Sequence, residues 1–324
     1  MILVTGGTGF LGSMLIRQLL DGGYAVRATK RHSSLIPPDL VNHHQIQWIN
    51  ADINNYFELE DAFEDVHEVY HCAAMISFEP SKKKTMIQVN REGTAHVVNL
   101  CIKHQARLLH VSSVAAIGEP KPGHTTATEQ DIWEFDGTQH GYAISKYESE
   151  MEVWRGTVEG LDAVIINPSL IIGRQAGSEN TGAIFKLLKN GLHYYTTGSV
   201  GLVDVEDVAR VAIILMNSKD IHSERFIVSN QNISYQRLFQ ICAAHLGRPA
   251  PNKRATRAML GIAWRTAKIL AWFSGKKPGL TRDTAHAALK KQAYTNNKLK
   301  EKVGYAFKPI ELTLKEICEK LKAM

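Results

Sequence analysis

Met1-Ile-Leu-Val-Thr-Gly-Gly-Thr-Gly-Phe-Leu-Gly12 opens the chain. Ile2 to Val4 form a short apolar run without charge, as a buried parallel strand requires. Glycines follow at 6, 7, 9 and 12, and Ser13 to Leu20 are mostly helix-formers. Read from Gly7 the spacing is G-x-G-x-x-G. One glycine permits a tight strand-to-helix turn, one lets backbone reach a pyrophosphate, and one allows close helix–strand packing. The first N–H groups of the helix then face an anion and carry partial positive charge. Taken alone, the pattern also fits an ordinary turn with extra glycines. The flanks favour the phosphate-binding turn: strand before, helix after, Gly22-Gly23 closing the helix, then a second apolar segment, Tyr24 to Thr29. The expected dinucleotide contacts of this loop are Gly6, Thr8, Gly9, Phe10, Leu11 and Gly12.

From Met1 to about Ile172, short apolar runs alternate with helical periodicity. Ile2–Val4, Ala25–Ala28, Ile46–Ile49, Glu68–Cys72, Arg107–Val111 and Ala163–Asn167 read as strands. Tyr56–Glu64, Thr85–His104 and Tyr142–Glu159 read as helices between them. Such alternation with short connections predicts an α/β fold with a doubly wound parallel sheet. There is no internal repeat.

The 324 residues allow one large domain or two closely joined ones. A hydrophobic content of 44% and a charged content of 22% suit a soluble globular protein. No apolar run is long enough to span a bilayer. Because a strand begins at once, no cleavable signal is expected ahead of it. Cys72, Cys101, Cys242 and Cys318 lie far apart without metal-ligand spacing, so no metal is expected and they read as free thiols in a cytoplasmic setting. The net charge of +6 is unevenly spread. Residues 248–302 hold fourteen Lys/Arg and two acids, a local +12, which leaves about −6 elsewhere.

After the second strand comes Thr29-Lys-Arg-His-Ser-Ser34. A site preferring NAD usually places an acid about twenty residues past the glycines for the ribose hydroxyls. Lys30 stands there, and Arg31 can grip a 2′-phosphate with two charge-assisted bonds. NADP is therefore expected, with NAD still possible and Arg31 as main contact; the plainer reading is two solvated cations. Asp52, beside Ile53, either meets the adenine or caps the helix from Asn54. Ala73 and Ala74 close the fourth strand with side chains small enough for a cofactor to lie against.

Val111-Ser-Ser-Val-Ala-Ala-Ile-Gly118 leaves the fifth strand, and Gly141-Tyr-Ala-Ile-Ser-Lys146 opens a helix. Tyr142 and Lys146, four apart, share a helix face. An ammonium there should lower the phenol's pKa toward proton-transfer chemistry. A serine from the adjacent strand end could hold the substrate oxygen.

With the opening glycines, this combination resembles the extended short-chain dehydrogenase/reductase family over nearly the whole chain. Thr5-Gly-Gly-Thr-Gly-Phe-Leu-Gly12 looks like its cofactor motif and Tyr142/Lys146 like its catalytic pair. Val89-Asn-Arg-Glu-Gly-Thr94 resembles its helix-four motif. The resemblance implies a Rossmann domain over 1–173 plus 200–220 and a smaller substrate-binding domain over 174–199 plus 221–324. It implies Tyr142 as general acid in reduction and base in oxidation, and Lys146 as its partner and ribose ligand. Counting back from Gly118 places Ser113, rather than Ser112, at the carbonyl-orienting serine. Asn90 supports a proton relay in the family, and reads equally as a helix-internal hydrogen-bonding residue. Pro168 lies in the segment whose backbone holds the carboxamide, although most members carry a different residue at Asn167.

Val114, Ala115 and Ala116 lack the acids of the family's dehydratases and the second hydroxyl of its epimerases. Tyr24–Arg31 and His71–Phe78 most resemble the dihydroflavonol-reductase and 3β-hydroxysteroid-dehydrogenase branch. This implies reduction of a ketone or aldehyde, or oxidation of a secondary alcohol, on a mostly apolar small molecule. Met75, Ile76, Phe78, Trp133, Tyr194 and Tyr195 are candidate pocket linings, or simply core. A sugar-nucleotide epimerase is the alternative within the fold; Arg174, Lys186 and Lys189 would then anchor a diphosphate. A non-catalytic NADP-binding redox sensor is a third reading, against which stand Tyr142 and Lys146. Monomer or homodimer is implied.

Asp204 and Asp207 read as charges at a helix start, and Gly201–Ala209 as the return to the main sheet. Ala255–Phe273 reads as a helix with Met259, Ile262, Ala263, Ala267, Leu270 and Phe273 on one face, and Arg257, Arg265 and Lys268 on the other, with Trp264 and Trp272 among them. Either it is a lid packed on the substrate domain, or it meets an anionic membrane surface or a partner. No nucleic-acid module accompanies the charge, so nucleic acid is not expected.

Overall fold

A computed structural model describes all residues except 136, 138, 176–180, 275–279 and 324, and leaves the side chains of 181, 183 and 272–274 undescribed. In chain order the first part runs β1 (Ile2–Thr5), α1 (Phe10–Asp21), β2 (Val26–Lys30), β3 (Ile46–Asn50), α2 (Tyr56–Asp61), β4 (Glu68–His71), α3 (Lys83–His104), β5 (Arg107–Val111), α4 (Gly141–Val158) and β6 (Ala163–Pro168). Then come β7 (Leu170–Ile172), α5 (Thr181–Lys189), β8 (Tyr194–Tyr195), β9 (Ser199–Asp204), α6 (Val205–Asn217), β10 (Glu224–Val228), β11 (Gln231–Ser234) and α7 (Tyr235–Leu246). The chain closes with β12 (Lys253–Arg254), α8 (Arg257–Ser274), α9 (Arg282–Ala287), α10 (Asn297–Val303) and α11 (Ile310–Ala323).

Among the described residues, seven strands form one sheet in the order β10-β6-β5-β4-β1-β2-β3, with every neighbouring pair parallel. Side chains alternate across it with the period of two that a pleated strand imposes. Leu3, Val69, Leu108 and Ile165 meet Leu59, Val97, Leu100 and Val153 from α2, α3 and α4. Val4, Leu109, Ile166 and Phe226 meet Leu15, Ile16, Leu19, Val208 and Leu215 from α1 and α6 on the other face. Helices on both faces of a parallel sheet make the doubly wound Rossmann architecture.

β7, β9 and β11 form a second, three-stranded sheet, and β8 pairs with β12. Their core gathers Phe185, Leu188, Leu202, Phe239, Cys242, Leu314 and Ile317 from α5, β9, α7 and α11. The strand within Gly201–Ala209 therefore belongs to this smaller sheet, and the return to the main sheet is made by α6 and β10. Glu224–Val228, expected in the smaller domain, is the main sheet's edge strand on β6. Asp204 caps α6, accepting from the Glu206 amide at 2.8 Å.

Candidate active site

Chain order reverses between β1 and β4, so their carboxyl ends open the crevice where doubly wound sheets bind ligands. Gly6 leaves β1 with φ +68°, a left-handed backbone that suits glycine. A Cβ on Gly6 would stand 2.8 Å from the Ala73 backbone, and one on Gly12 only 2.3 Å from the Gly6 carbonyl oxygen. The Gly9 that begins α1 provides no side-chain cap, so the helix's first N–H groups stay open to a ligand. Backbone packed this closely around an open helix start fits a pyrophosphate. Thr8, Phe10 and Leu11 share this turn, with Leu11 buried.

At the end of β2, Lys30 Nζ donates to Asn50 Oδ1 at 2.7 Å, while Arg31 is exposed. Asp52 Oδ1 accepts from the Asn54 amide at 3.0 Å, making a local turn. It does not cap the next helix: Asn55 does, accepting from the Glu58 amide. Ile53 is buried, with its side chain against Gly93.

A buried hydrogen-bond chain fixes the floor of the crevice. Thr94 Oγ1 donates to the Asn90 carbonyl at 2.8 Å, which spends its proton. His71 Nε2, 3.2 Å from that oxygen, must then be the donor. His71 Nδ1 accepts from Thr5 Oγ1 at 2.7 Å, and Thr5 Oγ1 accepts from the Ala73 amide at 3.3 Å. Burial, with Lys146 nearby, holds His71 neutral and pushes its pKa down to about 3. The Asn90 side chain clamps the loop after β4. It accepts from the Met75 amide at 2.7 Å and donates to the Met75 carbonyl at 2.9 Å and to Ser145 Oγ at 3.2 Å. Asn90 thereby holds the loop at Met75 and does not itself reach Tyr142 in these bonds.

The chemistry-bearing group lies where β5 meets α4. The Ser113 side chain lies beside Tyr142 and acts on its phenol, and Ser113 Oγ accepts from the Ala115 amide at 3.2 Å. Ser112 points elsewhere, donating to Glu150 Oε2 at 2.6 Å. Lys146, buried one helical turn from Tyr142, donates to the Val111 carbonyl at 2.9 Å. Burial brings Lys146 down to about 8, opposed by Cys72 and Glu150. Tyr142 shifts opposite to the sequence-based expectation. Burial raises its pKa, and only the Ser113 hydrogen bond opposes that. In this geometry the lysine bonds the Val111 carbonyl rather than the phenol, and desolvation of the phenolate dominates.

Four residues here have roles not expected from the sequence. Glu150, two turns beyond Tyr142 on α4, is fully buried; it accepts from Ser112, from Asn167 Nδ2 at 2.8 Å and from Arg225 at 3.1 Å. Asn167 Nδ2 also donates to the Ser113 carbonyl at 3.0 Å, which gives this unusual residue a physical role. His140 caps α4 by accepting from the Ala143 amide at 3.2 Å, and its ring stacks 6.2 Å from that of Tyr142. Glu150 and Arg225 look like surface charges in a sequence, and His140 carries no motif.

Of the expected linings, Phe78 comes to Tyr142 with ring centroids 6.2 Å apart. Trp133 stacks on Tyr147 at 4.2 Å, while Tyr195 packs into the second core. Ile76 and Tyr194 are exposed. Pro168 ends β6 opposite Val228. Among the described residues no cluster of His, Cys, Asp and Glu could hold a metal, and all four cysteines are free.

The model of the NAD dependent epimerase/dehydratase family matches residues 2–229. The chain is similar to a Synechocystis protein named "Putative dihydroflavonol 4-reductase", 30% identical over 93% of this chain and 88% of that one. It is similar to cinnamoyl-CoA reductase 1 of Petunia hybrida, 26% identical over 99% and 91%. UDP-glucose 4-epimerase of Thermotoga maritima, solved with UDP-glucose, shares the fold with a TM-score of 0.79, 22% identity and coverage of 99% and 98%.

Proposed function

This chain belongs to the NAD dependent epimerase/dehydratase family and is an NAD(P)-dependent oxidoreductase of the extended short-chain type, and we propose that it reduces a ketone or aldehyde on a mostly apolar small molecule with NADP as its preferred cofactor. The observation that carries this reading is the Ser113 side chain beside Tyr142, with Lys146 buried one helical turn along, next to a loop without side-chain acids at Val114, Ala115 and Ala116. Reductases among the relatives support the same reaction class.

The bound cofactor supplies hydride to the substrate carbon. Ser113 and Tyr142 hold the substrate oxygen, and Tyr142, kept protonated by burial, delivers the proton to it. Lys146 keeps a positive charge near that oxygen as negative charge develops there. Gly6, Gly9 and Gly12 would admit the pyrophosphate, and exposed Arg31 would take a 2′-phosphate. Ala73 and Ala74 leave room along the crevice. Met75 and Phe78 line the substrate side. The two parts of the chain divide the work, the seven-stranded sheet binding cofactor and the smaller part covering substrate.

Epimerase chemistry finds less support. Lys189, which would anchor a diphosphate, donates to the Leu321 carbonyl at 2.7 Å. Following nicotinamide absorbance across a panel of apolar ketones and aldehydes tests the reading. Turnover with NADPH exceeding that with NADH is expected, and Arg31→Ala should erase the preference by weakening NADPH roughly tenfold or more. Equal use of both cofactors by the unaltered enzyme would remove the NADP assignment. Interconversion of sugar nucleotides without net cofactor consumption would replace the reductase reading.

A further inference from the structure

α8 is the helix in which the sequence left two orientations open, and the structure turns its apolar residues outward. Ile262, Ile269 and Leu270 are 65%, 54% and 67% exposed, and Met259 is exposed beside them. At 100° per residue these four fall within one sector of about 100°. Ala263 and Ala267 flank the stripe beside Leu270; Leu260, Trp264 and Ala271 lie further round the helix; all five are half-buried. The side chains of Trp272 and Phe273 lie outside the described residues. α8 rests principally on the short α9. A stripe of isoleucine and leucine on a helix held from one side is an unpartnered apolar surface.

The charge around that stripe identifies its occupant. Lys253, Arg254, Arg257 and Lys268 are exposed, and none has a carboxylate partner among the described residues. Arg265 stands at the stripe's border, its guanidinium 4.6 Å above the Trp264 ring. They belong to the segment 248–302, with fourteen Lys/Arg against two acids. A second copy docking symmetrically through α8 would press two such segments together, and like charges repel. A nucleic acid would meet the cations but bury no isoleucine. An anionic lipid surface satisfies both features: acyl chains take the stripe, Arg265 at its border reaches the headgroups, and Arg257 and Lys268 on the far face add attraction through the surface potential.

We propose that α8 docks the protein on an anionic bilayer, lying in the plane of the interface with Met259, Ile262, Ile269 and Leu270 facing the acyl chains. Among the described residues no helix is long and apolar enough to cross a membrane, so the attachment is peripheral. Docking does not depend on which substrate Tyr142 serves.

Flotation of the full chain with phosphatidylcholine vesicles, with and without phosphatidylglycerol, tests this. The expected result is a vesicle-bound fraction that requires phosphatidylglycerol and shrinks as salt is added. Ile262→Glu with Ile269→Glu should lower partitioning roughly tenfold or more, with an unchanged thermal melt because both residues are exposed. Arg257→Gln with Lys268→Gln provides a second arm and should weaken binding most at low salt. No bound fraction, or one indifferent to the Glu pair, overturns the proposal. So does a dimer in sedimentation velocity that the Glu pair dissolves without any vesicle binding.

Discussion

Lys146 holds its charge where burial argues against it. Desolvation brings its pKa down to about 8, and the carboxylate of Glu150, one turn further along α4, is among the groups that oppose the fall. If reduction needs the ammonium, the rate is highest below that value and falls as pH rises through it. Glu150→Gln removes a negative charge, so Lys146 loses its proton more readily and the falling limb moves to lower pH. A pH–rate profile checks this, and an unmoved limb would detach Glu150 from the lysine. Tyr142→Phe removes the proposed proton donor itself. A loss of about 10²- to 10⁴-fold in turnover is expected, with cofactor affinity by fluorescence quenching unchanged. At this scale Tyr142, Lys146 and Ser113 were legible because their chemistry shows in spacing. Glu150, Asn167 and Arg225 were not, since only the fold brings residues so far apart in sequence around one carboxylate.

The glycine turn and the clamped loop after β4 form the two walls of the proposed cofactor crevice, and each rests on a residue without a substitute. Gly12→Ala would push a methyl group 2.3 Å from the Gly6 carbonyl oxygen, so the turn must open. Thermal shift by NADPH should vanish in that variant, and a full shift would refute the close-packed cradle. Asn90→Ala leaves the Met75 amide and carbonyl without their partner, at about 1–3 kcal/mol. The melting point should drop by several degrees and KM should rise with it. Asn90→Asp keeps the acceptor and loses the donor, so it should fall between. Elements of the first half were legible because parallel strands buried on both faces read as short, mostly apolar runs. β10 was not: Glu224 and Arg225 begin it, and their charges are met only in the fold, Glu224 by Lys298 at 2.8 Å and Arg225 by Glu150. α8 shows the complementary limit. Periodicity defines an apolar stripe but not the direction it faces, because direction depends on what the rest of the chain offers for packing.

The two sheets are joined at a charged seam around Lys308, between α10 and α11. Its ammonium lies 2.8 Å from Glu316, 3.6 Å from Asp204 and 3.9 Å from Glu206. Its amide donates to Asp207 at 3.0 Å, and the Tyr305 hydroxyl donates to the same carboxylate at 2.7 Å. Asp204 ends β9 of the smaller sheet and caps α6, which packs on the main sheet, so this seam couples both cores. Asn230, just past β10, closes it by donating to the Lys308 carbonyl at 2.6 Å. Burial works against the Lys308 charge, yet Glu316, Asp204 and Glu206 hold its pKa above the ordinary lysine value. A pKa raised on folding stabilises the native state while the unfolded lysine is also protonated, and the benefit disappears as pH climbs through the folded value. Lys308→Met keeps the stem and removes the charge. At neutral pH it should cost about 1–2 kcal/mol after solvent screening, read as a lower melting point with NADPH affinity intact. The gap between variant and parent should stay constant through neutrality and close in the alkaline range where lysine loses its proton. It should also narrow in acid, once the surrounding carboxylates are neutral. A gap that persists at high pH would mean the stem, rather than the charge, joins the two halves.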